Sequence, residues 1–262
     1  PLLDERGLLD GYQVCYLSGP NLTRAAAEKL RDWVKAGGTL WLAANAASRD
    51  EFNRPMDVLD GILPAARGEA QSLQPFQASG RYLNTLAVKD TVRWSGGKAS
   101  VLSVKQELIP REKAEVLATF DDGSAAMVRA SSGQGKVFCS GFLPALSYIK
   151  TALDQRAALQ KKVDEKAALS AEETHAAALL DRSYNPWQFP AGLRELILAP
   201  TREAKLTKPI TCSHALVDAV HMPHEKGILI PLANYTLKPI PQLTLRVNAP
   251  QAIASAESAV RG

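Results

Sequence analysis

The stretch TLWLAAN, Thr39 to Asn45, runs directly into AASRDEFNRP, Ala46 to Pro55. The first part is a short apolar run, the pattern of a central buried strand. The second is polar and closes on Arg54-Pro55, the pattern of a loop. In an α/β sheet, sites form where the carboxyl end of a strand opens into such a loop. This junction therefore decides both the fold and where chemistry is to be sought.

Upstream, Tyr12 to Ser18 (YQVCYLS) reads as a second buried strand, broken by Gly19-Pro20-Asn21. Thr23 is placed to cap a helix from Arg24 to about Ala36, because Ala26, Leu30, Trp33 and Val34 recur at helical spacing. Gly37-Gly38 supplies its stop. Residues 12–44 thus form a strand–helix–strand unit, most simply a right-handed parallel crossover. Leu2 to Leu9 reads as a helical turn or arm in front of it.

Downstream, Met56 to Leu63 suggests a short helix. From Glu69 to Phe120 the texture becomes β-rich, with runs at Tyr82 to Val88, Thr91 to Trp94, Ala99 to Leu108 and Ala114 to Phe120. This region, about 66–120, is expected to be an antiparallel insertion or sheet extension. Asp121-Asp122-Gly123-Ser124 is a hairpin turn into Ala125 to Ala130, and Gly133 to Lys136 turns again into a buried strand, Val137 to Ser140. Leu146 to Leu169 is a charged surface helix. Ser170 and Glu173 fit a capping box for a helix over Ala171 to Leu180. Tyr184 to Pro190 (YNPWQFP) is a loop, and Ala191 to Leu198 a short helix. After Pro200 the pattern is all β, with strands expected at Ile210 to His221, Gly227 to Tyr235 and Gln242 to Asn248. The division expected is an α/β domain over 1–200 and a β-sandwich segment over 201–262. Three strands make a poor free-standing sandwich. Partner strands are expected from the main domain or beyond Gly262.

The 262 residues carry 31 basic and 27 acidic side chains with the signs interspersed. No run of like charge stands out, which argues against a nucleic-acid partner. No 18-residue apolar stretch is present, so no membrane-spanning helix is expected. Cys15, Cys139 and Cys212 lie far apart in apolar stretches, with neither a disulfide framework nor metal-ligand spacing. They read as buried thiols. Compartment stays open, with a secreted or periplasmic setting placed ahead of the cytoplasm. Because the chain starts at Pro1, a piece of a larger protein is expected.

Two stretches carry a family likeness: YQVCYLSGPNLTRAAAEKLRDWVKAGGTLWLAANAASRDEFNRP and EVLATFDDGSAAMVRASSGQGKVFCSGFLPALSY. Together they resemble the class I glutamine-amidotransferase-like fold, and within it the degenerate version found as the trimerisation domain of some bacterial β-galactosidases. HEKGILIPLANYTLKPIPQLTLRV resembles the β-sandwich tail that follows such domains. The resemblance implies a flavodoxin-like parallel sheet. It also implies where a working amidotransferase would keep its nucleophilic cysteine, on the sharp turn after Thr39 to Ala43. Ala44, Asn45 and Ala46 stand there instead. The family's His and Glu would follow a later strand, and Ser140-Gly-Phe-Leu-Pro-Ala145 contains neither. The resemblance therefore implies no glutaminase activity and no catalytic residue.

Other candidates are binding groups. Asn45, Arg49, Asp50, Glu51, Asn53 and Arg54 are the densest polar set at the strand end. A sugar or small polar ligand could be held by Asp50, Glu51 and Asn53, with Arg49 or Arg54 on an acid group. Adjacent side chains diverge, so Asp50 and Glu51 alone are a poor acid–base pair. The alternative is an exposed connecting loop. His221, His224 and Glu225 flank a turn, but a third zinc ligand is not evident. Trp187 and Phe189 suit either sugar stacking or anchoring of their loop. Asp121-Asp122-Gly123 lacks the remaining ligands of a calcium loop.

The expectation is thus an α/β, amidotransferase-like domain with an antiparallel β insertion and a C-terminal all-β segment. It has no cofactor or metal. It serves as a non-catalytic assembly or accessory unit of a bacterial, carbohydrate-related protein, and its partners are other copies or neighbouring domains, with carbohydrate as a further ligand. A ligand-binding or hydrolase domain using the Arg49–Arg54 loop, and an envelope scaffold, are the alternatives.

Overall fold

The computed structural model describes residues 8–72, 88–178, 180, 190–214, 216–236, 239–249 and 252–258. The described chain opens with a 3-10 turn, Leu8–Gly11, and strand β1 (Val14–Leu17). Helix α1 (Arg24–Lys35) follows. Its first turn is capped as the sequence suggests: the Thr23 hydroxyl accepts the Ala26 N–H at 3.1 Å. Ala26, Ala27, Leu30 and Val34 form its buried stripe. At its end Gly37 takes φ +125°, where a side chain would be strained. The chain then enters β2 (Thr39–Leu42), buried at all four residues. β1 and β2 pair in parallel, Val14 opposite Thr39.

Beyond Pro55 the expected helix is only a 3-10 turn, Asp60–Ile62. Met56, Leu59 and Ile62 are buried, but of the three only Ile62 lies within that turn, with Leu59 at its start. Six more strands were expected only in part: β3 (Ala65–Ser72), β4 (Val88–Trp94), β5 (Gly97–Leu102), β6 (Val104–Pro110), β7 (Glu115–Phe120) and β8 (Ala125–Ser132). The run from Ala99 to Leu108 is not one strand. Ser103, at φ +64°, breaks it, and β6 leaves β5 to pair with β3. Most of the strand expected over Tyr82 to Val88 lies outside the described residues, as do Tyr184, Trp187 and Phe189.

With β9 (Gly135–Ser140) these strands make one nine-stranded sheet, ordered β1-β2-β9-β8-β7-β4-β5, with β3 and β6 joined through β8. Among the described residues only β1, β2 and β9 of this sheet run parallel, and its other pairings are antiparallel. The fold is α/β with a mixed sheet, and the β-rich region continues that sheet.

Helices α2 (Pro144–Asp164), α3 (Ala171–Ala177) and α4 (Ala191–Glu203) complete this part. The Ser170–Glu173 capping box is formed in both directions. Two apolar layers result. Leu30 and Val34 of α1 pack with Leu40, Leu42, Val128 and Val137. Leu193 and Leu196 of α4 pack with Trp41, Phe120, Phe138 and Phe142. Each such side chain, when fully buried, contributes about 1.5–3 kcal/mol. Glu203 fastens the end of α4 to the sheet through Arg129 and Lys136.

The chain divides into two compact units, residues 1–205 and 206–262. The second contains β10 (Ile210–Cys212), β11 (Val217–Ala219), β12 (Met222–His224), β13 (Gly227–Leu229), β14 (Leu232–Asn234) and β15 (Leu245–Val247). The three long strands expected here are instead six short pieces. They pair β12 with β13, β11 with β14 and β10 with β15, nested about the Glu225-Lys226 turn as an interrupted two-armed ribbon. Among the described residues of this unit only Val217 is buried.

Candidate functional site

After β2 the chain turns sharply. Asn45 and Ala47 adopt φ +62° and +47°, the left-handed region that non-glycine residues seldom enter. Such a turn persists only when its surroundings hold it. The Asn45 N–H donates to Gln106 Oε1 at 2.9 Å, and Ser48 Oγ donates to Asn45 Oδ1 at 2.7 Å. Gln106 Nε2 donates to the Gly68 carbonyl at 2.9 Å, and its backbone N–H to Gly141 at 2.7 Å. Gln106 is buried. The Arg67 guanidinium donates to the Ala46 carbonyl, and the Ala47 N–H to Gly19. The strand end is therefore occupied by side chains of β3 and β6, and the amide of its strained turn already has an acceptor.

The next residues build a loop around one carboxylate. Asp50 is 2% exposed. Its Oδ1 accepts the N–H groups of Phe52 and Arg54, at 2.9 and 2.8 Å, and its Oδ2 accepts Arg24 Nε at 3.3 Å. Burial by itself would raise its pKa, and is the largest single influence. The Arg54 and Phe52 amides and the Arg24 guanidinium together outweigh it, so the carboxyl titrates below its usual range. Asp50 is thus the keystone of its own loop.

The other candidates sit around it. Glu51 Oε2 accepts the Arg24 N–H at 3.0 Å, satisfying a free donor at the start of α1. Arg49 Nη1 donates to the Asn53 carbonyl at 3.3 Å, and Asn53 takes φ +60°. The Arg54 guanidinium lies over the Phe52 ring, 5.5 Å from its centre. Arg49, Glu51, Asn53 and Arg54 are exposed, and Phe52 is 70% exposed. The structure brings all six sequence candidates into one loop, with Asn45 and Asp50 turned inward and the other four outward.

Arg24, Arg67 and Gln106 were missed by the sequence reading. Arg24 also binds Asp57 at 3.0 Å and the Pro55 carbonyl at 3.3 Å. Only Arg24, directly after the Thr23 cap, had a local signal.

Cys139 is buried within β9, and burial pushes its pKa up to about 12 against the pull of Arg67 and Arg111. In the following stretch the Ser140 hydroxyl donates to the Phe142 carbonyl at 2.9 Å. His221 lies in the break between β11 and β12, outside both strands, and His224 ends β12. His224 Nδ1 accepts the Lys226 N–H at 3.2 Å. At the Asp121-Asp122 turn, Asp122 accepts from Ser124 and Lys105, and Arg93 binds Asp121. Among the described residues no helix is long and apolar enough to cross a membrane.

No family model matches this sequence, and no curated protein matches it. Solved structures do. A β-galactosidase from Rahnella sp. R3 matches 91% of this chain with TM-score 0.55 and 15% identity, using 31% of its own length. A β-galactosidase from Bacillus circulans sp. alkalophilus matches 58% of the chain with TM-score 0.45 and 18% identity over 23% of its length. A GH42 β-galactosidase from G. stearothermophilus matches 58% with TM-score 0.43 and 15% identity over 22% of its length. The chain spans about a fifth to a third of the length of these structures. Its fold is similar to that of a portion of the Rahnella β-galactosidase.

Proposed function

We propose that this chain is a non-catalytic assembly or accessory unit of a larger, carbohydrate-related bacterial protein. In this reading it is a degenerate amidotransferase-like domain of the β-galactosidase trimerisation type, its flavodoxin-like parallel core reduced to β1, β2 and β9. The observation that carries the reading is the Asn45–Gln106 contact. The strained turn that would present a nucleophile is kept, but it carries Asn45, and its amide is bound to Gln106 at 2.9 Å. The resemblance to a portion of a β-galactosidase supports the carbohydrate setting. The ribbon over 206–262 would complete a β-sandwich with strands from elsewhere. Multi-angle light scattering over a concentration series tests the assembly role, with a mass above the 28.2 kDa of one chain expected. A monomer at every concentration overturns it.

A second reading makes the Arg49–Arg54 loop a ligand site. Its support is that Arg49 and Arg54 have no carboxylate partner among the described residues. Asn53 and Glu51 stand exposed beside them. Titration calorimetry with galactose and with galacturonate decides it. Saturable heat that disappears in Arg49→Ala would favour this reading.

A further inference from the structure

We propose that the exposed ring of Phe52 is a stacking platform for a neutral pyranose, whose hydroxyl edge is taken by Asn53 and Glu51. The proposal rests on the ligand-site reading of the Arg49–Arg54 loop above and names its ligand class.

The platform is built before any ligand arrives. The Asn53 N–H donates to the Asp50 carbonyl at 3.0 Å, which closes a β-turn with Glu51 and Phe52 at its centre. The Asp50 carboxylate fixes the same turn from within, accepting from Phe52, Arg54 and Arg24. The Asp50 N–H donates to the Arg54 carbonyl at 2.8 Å, and Asn21 Nδ2 to the Asp50 carbonyl at 3.0 Å. This turn carries Phe52 outward, with 70% of its surface in water. The Arg54 guanidinium lies over one face of the ring, so the opposite face is the one left to a ligand. A ring held in place loses little conformational entropy on binding.

Charge and hydrogen-bonding capacity select the ligand. Arg49, Asp50, Glu51 and Arg54 sum to no net charge. Arg24 is matched by Asp50 and Asp57. Arg54 is stacked on Phe52, and Arg49 donates to the Asn53 carbonyl, so both are engaged by the loop itself. Glu51 uses Oε2 on the Arg24 N–H. Among the described residues, its Oε1 and the Asn53 side-chain amide have no partner, and both residues are exposed. They offer donors and acceptors together beside an apolar ring. An anionic ligand would meet the Glu51 carboxylate. A wholly apolar one would leave amide and carboxylate without partners. A pyranose satisfies both, with a C–H face for the ring and hydroxyls that donate and accept at its edge.

Saturation-transfer NMR titration of the 262-residue chain with methyl β-galactopyranoside and with galacturonate tests this. An open platform without surrounding walls should bind the galactoside in the millimolar range, with galacturonate no tighter. Phe52→Ala should raise the dissociation constant at least about tenfold, and Phe52→Tyr should keep it near wild type. The Phe52 side chain is exposed, and circular dichroism checks that each variant keeps the fold. Galactoside binding that is unchanged in Phe52→Ala overturns the platform while leaving the loop a ligand site. So does galacturonate that binds more tightly than the galactoside. Absence of saturable binding by either sugar removes both.

Discussion

Gln106 Oε1 accepts the backbone N–H of Asn45 at 2.9 Å, across 61 residues of sequence. The same side chain donates to Gly68, so one buried amide joins β6, β3 and the turn after β2. Gln106→Leu should orphan the Asn45 N–H and the Gly68 carbonyl together. Each buried orphan costs about 1–3 kcal/mol. Urea unfolding should therefore show a loss of about 2–6 kcal/mol. Gln106→Glu keeps the acceptor but loses the donor to Gly68 and buries a charge. Relative to wild type, its stability should recover as the pH is lowered toward the protonation of the new carboxyl, whereas the deficit of Gln106→Leu relative to wild type should stay constant.

Asp50 sets the opposite pH response. Its carboxyl is held below the usual range despite burial, by the Arg54 and Phe52 amides and by Arg24. A group with a depressed folded pKa contributes stability that is fully present above its unfolded value, about 3.9. That contribution is lost as pH falls through the folded value. Asp50→Asn should lower the melting temperature by several degrees at pH 7, and the gap to wild type should close below pH 4. Thermal scans in steps from pH 7 to 2 measure it. A constant gap at all pH values would mean that the charge is not what holds the loop.

Cys139 gives a chemical readout of how tightly β9 is packed. A thiol buried in β9 with its pKa pushed up to about 12 stays protonated at any working pH. Iodoacetamide at pH 8.5 should leave it unmodified in the folded protein and alkylate it fully in denaturant, as followed by peptide mass spectrometry. Rapid labelling of Cys139 in native buffer would contradict the burial and reopen the question of its chemistry.

The elements legible in the sequence are those with a local cause. Thr23 before a 3.6-residue stripe marked α1, Ser170 with Glu173 marked α3, and Thr39 to Leu42 marked the buried β2. The break at Ser103 was not legible, because a positive φ at a serine is imposed by where β6 must pair. The 3-10 turn at Asp60–Ile62 was hidden in a spacing that also fits the start of an α-helix. The candidate loop was found from its place after β2. Its internal logic was not, since Arg24, Arg67 and Gln106 come to it through sheet pairing and helix docking. Asp50 looked like a ligand group for the same reason: a carboxylate that closes its own loop has the same letter as one that binds a sugar.

Gly135 tests how tightly α1 is docked on the sheet. Its backbone lies against the carbonyls of Val34 and Gly38, where α1 ends and β2 begins, and a methyl group there would overlap both oxygens. Those atoms are backbone, so they cannot swing aside as a side-chain end can. The Gln134 N–H also donates to Lys35 at 3.0 Å, and the Lys136 N–H to Gly38 at 3.2 Å, which fixes the approach. Gly135→Ala should cost about 3 kcal/mol or more, by forcing α1 away from β9. Gly61→Ala is the matched control, because a methyl group there meets open space and the backbone is not in the left-handed region. It should stay within about 0.5 kcal/mol of wild type. Denaturant unfolding of the pair separates steric exclusion at the α1–β9 contact from any general effect of replacing glycine, and equal losses in the two variants would refute the close docking.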